Sequence, residues 1–351
     1  MGPLPDVKLT LEAPTPKGSW TMRVTNTGTI PVRLVADARL LTLDVTVRGG
    51  SKALRCELPA DMRPSDDTER PLVLPPGRSY VEHFEPRLFC FGPRLFDALA
   101  QGSIVVGHLG WPNGNRAHSP YEVASIPGVE PELAPLKELI SPPIGLPDES
   151  SPAMTDPIPA RPEDPDPVKL DLYGVPAIDA QSSTGININV SLHNAGKRAV
   201  VTRFRPETLR FNVTGPSGVT DCRWVLNPVA PMPEFFTTIP PGGTTDLGVL
   251  LDAYCSDRVF HHPGLLVVRP ELDTHAASGA DIGLRTFDGR VVSTRVTVVR
   301  LHQGLKPPKL EHPQLEPLPA PPGAPVPEAP AAPSAPPAPP PTLPIRSQHR
   351  H

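Results

Sequence analysis

The feature that most constrains this chain is that one pattern is written in it twice. Val24-Thr25-Asn26-Thr27-Gly28 returns as Leu192-His193-Asn194-Ala195-Gly196, and Leu41-Thr42-Leu43-Asp44-Val45 returns as Leu209-Arg210-Phe211-Asn212-Val213, both 168 residues later. Upstream of both, Val7-Lys8-Leu9-Thr10-Leu11 is answered by Val168-Lys169-Leu170-Asp171-Leu172. Downstream, Cys56 is answered by Cys222, Leu74-Pro75-Pro76-Gly77 by Ile239-Pro240-Pro241-Gly242, and Cys90 by Cys255. Gly102-Ser103-Ile104-Val105-Val106 and Gly264-Leu265-Leu266-Val267-Val268 close the series. Seven landmarks in one order predict a duplicated domain, and small loop insertions explain the drift in spacing.

Inside each copy, short runs of Val, Ile, Leu and Thr alternate with Pro, Gly and Asn turn signals about every dozen residues, the pattern of a β-sandwich. In the second copy Ile282, Leu284 and Thr286 alternate up to Asp288-Gly289, and Val292, Thr294, Val296 and Val298 alternate away from it. Asp-Gly between such runs predicts a tight hairpin. In the first copy Leu109 and Trp111 run into Pro112-Asn113-Gly114, and the last strand is expected near Tyr121 to Ile126.

The Val24-to-Gly28 segment, the Leu74-Pro75-Pro76-Gly77 turn and the glycine-led strand at Gly102 together resemble the bacterial Ig-like and fibronectin-III-like modules of surface and secreted proteins. The resemblance covers roughly residues 5-127 and 167-302. It implies a fold and an adhesive or accessory role rather than a reaction. The fold class expected is therefore all-β: tandem Ig-like sandwiches at 5-127 and 167-303, a proline-rich linker at 128-166, and a disordered tail at 304-351.

Composition bears on the linker and the tail. The 53 prolines in 351 residues are about three times the usual share. Runs such as Pro157-Ile158-Pro159-Ala160-Arg161-Pro162 form neither ladders nor helices. Within the linker, Leu133, Leu136, Leu139 and Ile140 stand at helical spacing, so Glu132 to Ile140 is a candidate short helix. After Gly304 the Pro/Ala-rich sequence favours polyproline II without a core. It reads as an inert spacer or as a ligand for a groove-type domain.

Cys56 and Cys90 are 34 positions apart, and Cys222 and Cys255 are 33 apart. Equivalent spacing in both copies predicts one disulfide within each. The alternative is two pairs of reduced, buried thiols acting as small apolar groups. A zinc site would need ligand spacing that is absent. Disulfides point to an oxidising compartment, although Met1 to Asp6 lacks the basic and apolar regions of a signal peptide. An extracytoplasmic location is expected on the cysteines.

The motifs that could carry chemistry read as structure. There is no G-x-S-x-G, and Gly49-Gly50-Ser51-Lys52 lacks the P-loop order and reads as a turn. His261-His262 precedes Pro263-Gly264 and is expected on an exposed loop; catalysis would be revived by a pocket gathering this pair with carboxylates. Asp44 and Asn212, which match across the copies, are expected to face solvent. No tryptophan is shared between copies, and Trp111, beside a hairpin tip, is the candidate binding platform. A formal charge of −4 with mixed signs gives no electrostatic reason to expect nucleic acid, and no apolar run is long enough to span a bilayer.

The expectation is thus a chain that is no enzyme and needs no cofactor, an interaction or structural protein of a bacterial envelope or secreted fraction with a protein or surface glycan as partner. The second reading is a β-sandwich inhibitor or chaperone-like binder. A bare edge strand or a protruding loop such as Asn227 to Pro233 would favour it.

Overall fold

The computed structural model describes residues 6–64, 72–110, 138–147, 168–224, 232–275 and 279–305. Trp111, the Pro112-Asn113-Gly114 turn, the segment Tyr121 to Ile126, most of the Asn227 to Pro233 loop and the tail from 306 lie outside them. The described chain is mostly β. In the first half the strands are β1 Val7–Glu12, β2 Trp20–Asn26, β3 Val32–Leu34, β4 Leu41–Thr46, β5 Ala53–Glu57, β6 Leu72–Leu74 and β7 Ser79–Phe84. Helices α1 Pro86–Phe89 and α2 Pro93–Ala98 follow, then β8 Ile104–Leu109, β9 Leu139–Ile140 and β10 Ile144–Gly145. The second half runs β11 Leu170–Gly174, β12 Ala177–Ala180, β13 Asn187–Asn194, β14 Val200–Thr202, β15 Leu209–Gly215 and β16 Gly218–Arg223. It ends with β17 Thr237–Ile239, β18 Thr244–Leu250, β19 Gly264–Asp273, β20 Arg290–Val292 and β21 Thr297–Leu301.

Both halves pair their strands in one order. A three-stranded sheet β1-β2-β7 corresponds to β11-β13-β18, and the small ladder β3-β6 corresponds to β14-β17. The sheet β10-β8-β4-β5, with β9 also on β8, corresponds to β21-β19-β15-β16, with β20 also on β19. Among the described residues only the second half has a strand such as β12, which pairs parallel to β21. Alternation sets the faces: Trp20, Met22, Val24 and Asn26 are buried along β2, as are Ile188, Val190, Leu192 and Asn194 along β13. Each half encloses its own apolar cluster, one around Trp20, Met22, Leu43 and Leu109, the other around Ile188, Phe211, Phe260 and Leu266.

The repeated Pro-Pro-Gly turns have a backbone reason. Gly77 and Gly242 take φ of 70° and 71°, and Arg78 N–H and Gly243 N–H donate back to the Pro75 and Pro240 carbonyls. Proline second and a positive-φ glycine third is what a type II turn requires.

Three sequence expectations are corrected. Residues 138–147, assigned to the spacer, supply β9 and β10, which pair antiparallel to β8. Leu139 and Ile140 are therefore strand and not the end of a helix; the rest of that candidate helix, apart from Glu138, lies outside the described residues. The Asp288-Gly289 hairpin is absent. Ala280–Ile282 is a 3-10 turn, Phe287 N–H donates to the Val201 carbonyl, and Thr274 Oγ1 donates to the Phe287 and Gly289 carbonyls. The 282–289 segment is thus drawn onto β14, and β20 pairs instead with the far end of β19.

Candidate functional site

The two cystine bridges come first because they anchor the sheets. Cys56 on β5 is bonded to Cys90, delivered by the end of α1, and Cys222 on β16 is bonded to Cys255 after a 3-10 turn, with Cα atoms 4.7 and 4.6 Å apart. Each ties the edge strand of one sheet to the segment that follows the edge strand of the other. Two such bonds are compatible with an extracytoplasmic location.

The polar groups gathered most closely lie where the halves meet, on β21 of the second half. This strand is buried on both faces, and Arg300 on it and His302 just after it are buried too. Arg300 Nη1 donates to the Leu88 carbonyl of α1 at 3.0 Å, and its guanidinium carbon stands 4.3 Å from the centre of the Phe91 ring. Its Nε and Nη2 grip Asp179 on β12 at 2.9 and 2.5 Å. His302, with 5% of its side chain exposed, places Nδ1 2.7 Å from Asp61 Oδ2 of the first half and Nε2 2.7 Å from Asp179 Oδ1 of the second. Gln181 Nε2 is 3.1 Å from the same Nδ1. Asp179 is held below the usual carboxylate range, first by the Arg300 hydrogen bonds against the opposing cost of burial, and further by His302.

A second histidine is bracketed in the same way within the first half. His108 on β8 lies 3.2 Å from Asp44 Oδ2 and 2.9 Å from Glu138 Oε1. Asp44 is thus one arm of an ion-pair cluster and only 29% exposed, which the sequence reading missed, whereas Asn212 is exposed as expected. A polar cleft of about 450 Å³ opens on the outer face of the β11-β13-β18 sheet, lined by Asp171, Tyr173, His193, Thr244 and Arg295. Register places Asp171, His193 and Thr244 in one cross-strand row, and His193 Nδ1 meets Thr244 Oγ1 at 3.1 Å.

His261 and His262 are exposed, and no cluster of three or more potential metal ligands occurs among the described residues. No helix among the described residues is long and apolar enough to cross a membrane. His302 and Asp61 are 241 positions apart, and no sequence signal links them. The one hint at Arg300 and His302 is a pair of polar residues at i and i+2 at the end of the apolar run Val296-Thr297-Val298-Val299.

No protein-family model matches the chain, and no curated protein does. Among solved structures, red sea bream transglutaminase is matched over 86% of this chain and 32% of its own length, at 11% identity and a TM-score of 0.19. The chain therefore spans about a third of that enzyme. The expectation that the chain is no enzyme is withdrawn, since the structure matched is that of an enzyme. A score of 0.19 carries no argument for the transglutaminase reaction here, and function has to be read from this chain's own residues.

Proposed function

We propose that this chain is an interaction or structural protein of a bacterial envelope or secreted fraction, built as two Ig-like sandwiches that display their outer faces to a protein or glycan partner. The observation that carries the reading is the repeated cystine, which ties the two sheets together at the same place in each half. Closing loops of this length stabilises a small sandwich by roughly 3 to 4 kcal/mol on the chain-entropy model, a contribution that persists only where thiols stay oxidised. The shared strand order supports the Ig-like assignment, as does the parallel β12-β21 pair, in which the first strands of the second half are divided between its two sheets.

The test is exposure on intact cells that produce the chain. Labelling by a membrane-impermeant amine reagent, with a cytoplasmic protein left unlabelled, is the expected outcome. Labelling only after lysis overturns the location and with it the choice of partners.

A second reading, a binder of partner strands, is favoured by β16. It ends the larger sheet of the second half, and Val219 on it is 68% exposed. The Asp221–Arg223 pair on the same strand gives such an edge a charge pattern that a partner strand would have to complement.

A further inference from the structure

His302 faces more hydrogen-bond partners than one protonation state can serve. An imidazolium carries two N–H donors, and both ring nitrogens stand 2.7 Å from carboxylate oxygens, Asp61 in the first half and Asp179 in the second. A neutral ring has one donor and one acceptor. If its proton stays on Nε2 toward Asp179, Nδ1 becomes an acceptor, and the group positioned to donate to it is the Gln181 amide, 3.1 Å away on the ring's own half. In that state Asp61 has no donor on the ring. The opposite tautomer would set a lone pair against Asp179, so the Gln181 arrangement is the better one.

We propose that His302 is a proton-operated latch between the two halves. Charged, it spans the junction from Asp179 to Asp61; neutral, it turns its Nδ1 to Gln181 and releases the first half. The charged and titratable groups around it are Asp61 from the 3-10 turn Ala60–Met62, Asp179 from β12 and Arg300 from β21, which shares Asp179 with it. Arg300 stays charged throughout, so its bond to the Leu88 carbonyl and its contact with Phe91 persist and the junction loosens rather than parts. The sign comes from linkage. The latched state holds the extra proton, so its population falls as pH rises. Envelope and secreted proteins meet changes of pH directly, but the latch does not depend on that location.

Hydrogen exchange of the full chain at pH 5.5 and 8.5, corrected for intrinsic rates, tests the latch. Amides of the Ala60–Met62 turn should lose protection on the order of tenfold at the higher pH, the size of one charge-assisted hydrogen bond at a partly exposed rim, while those of α1, still held by Arg300, should change less. Amides around Asn26 should not change. Asp61→Asn, at a side chain 40% exposed and so compatible with folding, should give the lower protection at both pH values. Gln181→Leu, which removes the donor for the neutral ring, should keep the junction closed to higher pH. Equal protection at both pH values in the parent chain, or an undiminished pH response in Asp61→Asn, overturns the latch. A Gln181→Leu chain indistinguishable from the parent overturns the exchange of partners.

Discussion

Asn26 and Asn194 hold the same bonds in the two halves, although 168 residues separate them. Each is fully buried at the end of its strand. Each Nδ2 donates to the carbonyl four residues on, Ile30 or Arg198, and to Leu74 or Ile239, while each Oδ1 accepts from Gly28 or Gly196 N–H. The backbone repeats the match, since Gly77 N–H and Gly242 N–H donate to the Asn26 and Asn194 carbonyls at 2.8 Å. One side chain thereby joins β2 to the turn after β6, which is why an amide occupies a position otherwise filled by apolar residues. Asn26→Ala or Asn194→Ala strands buried carbonyls, and a loss of about 3 kcal/mol is expected from chemical denaturation. Asn→Asp should be at least as damaging, because a carboxylate has no proton for the two carbonyls.

Replacing both cysteines of one bridge by serine should lower stability by roughly 3 to 4 kcal/mol on the chain-entropy model. Because each half has its own core, the Cys56/Cys90 double variant should leave the second half's transition in place. Thermal unfolding followed by near-ultraviolet dichroism separates the two, since Trp20 packs edge-on to Phe84 in one half and Trp224 against Tyr254 in the other.

Tyr254 gives an alkaline signature. Its hydroxyl donates to the Pro206 carbonyl at 2.8 Å, and burial, with the Glu207 charge second, drives the phenol well above its ordinary range. The folded state then holds its proton where the unfolded chain gives it up. Stability contributed through this proton is complete below about pH 10 and declines as pH rises beyond it. Ultraviolet titration should show one phenol that ionises only with unfolding, and Tyr254→Phe should abolish that step while costing about 1 kcal/mol at neutral pH.

Arg300→Met removes the guanidinium that joins α1 to β21 while keeping its apolar volume. Calorimetry should show the transitions of the two halves further apart in the variant than in the parent chain. Superimposable traces would mean that Leu88 and Phe91 contribute nothing to the coupling.

The sequence exposed what repeats and hid what closes the structure. The matched offsets at Asn26, Leu43, Cys56 and Leu74 agree with the register, in which Leu43 faces Cys56 and Phe211 faces Cys222. The two ends slipped. Leu9 faces Val24 while Leu172 faces Leu192, so the opening strands correspond two residues away from the sequence match. A slip of two keeps every side chain on its face and leaves no trace in the alternation. Val105 corresponds to Val268 and not to Val267, because Val45 faces Val105 and Val213 faces Val268. The run Leu265-Leu266-Val267-Val268 is apolar throughout, so it carries no period from which register could be read. β9 and β10 were hidden for another reason. They are two residues each, flanked by prolines, and are held by pairing with β8 rather than by their own propensity. The polar junction at His302 joins residues from opposite ends of the chain, a contact that only the tertiary fold creates.

The most direct test of the central claim is non-reducing peptide mapping of the protein recovered from its native compartment with free thiols blocked at lysis. The account predicts two linked peptide pairs, Cys56 with Cys90 and Cys222 with Cys255. Four blocked, unlinked thiols would contradict it, since the chain would then reside in a reducing compartment and its two apolar cores would stand without their staples.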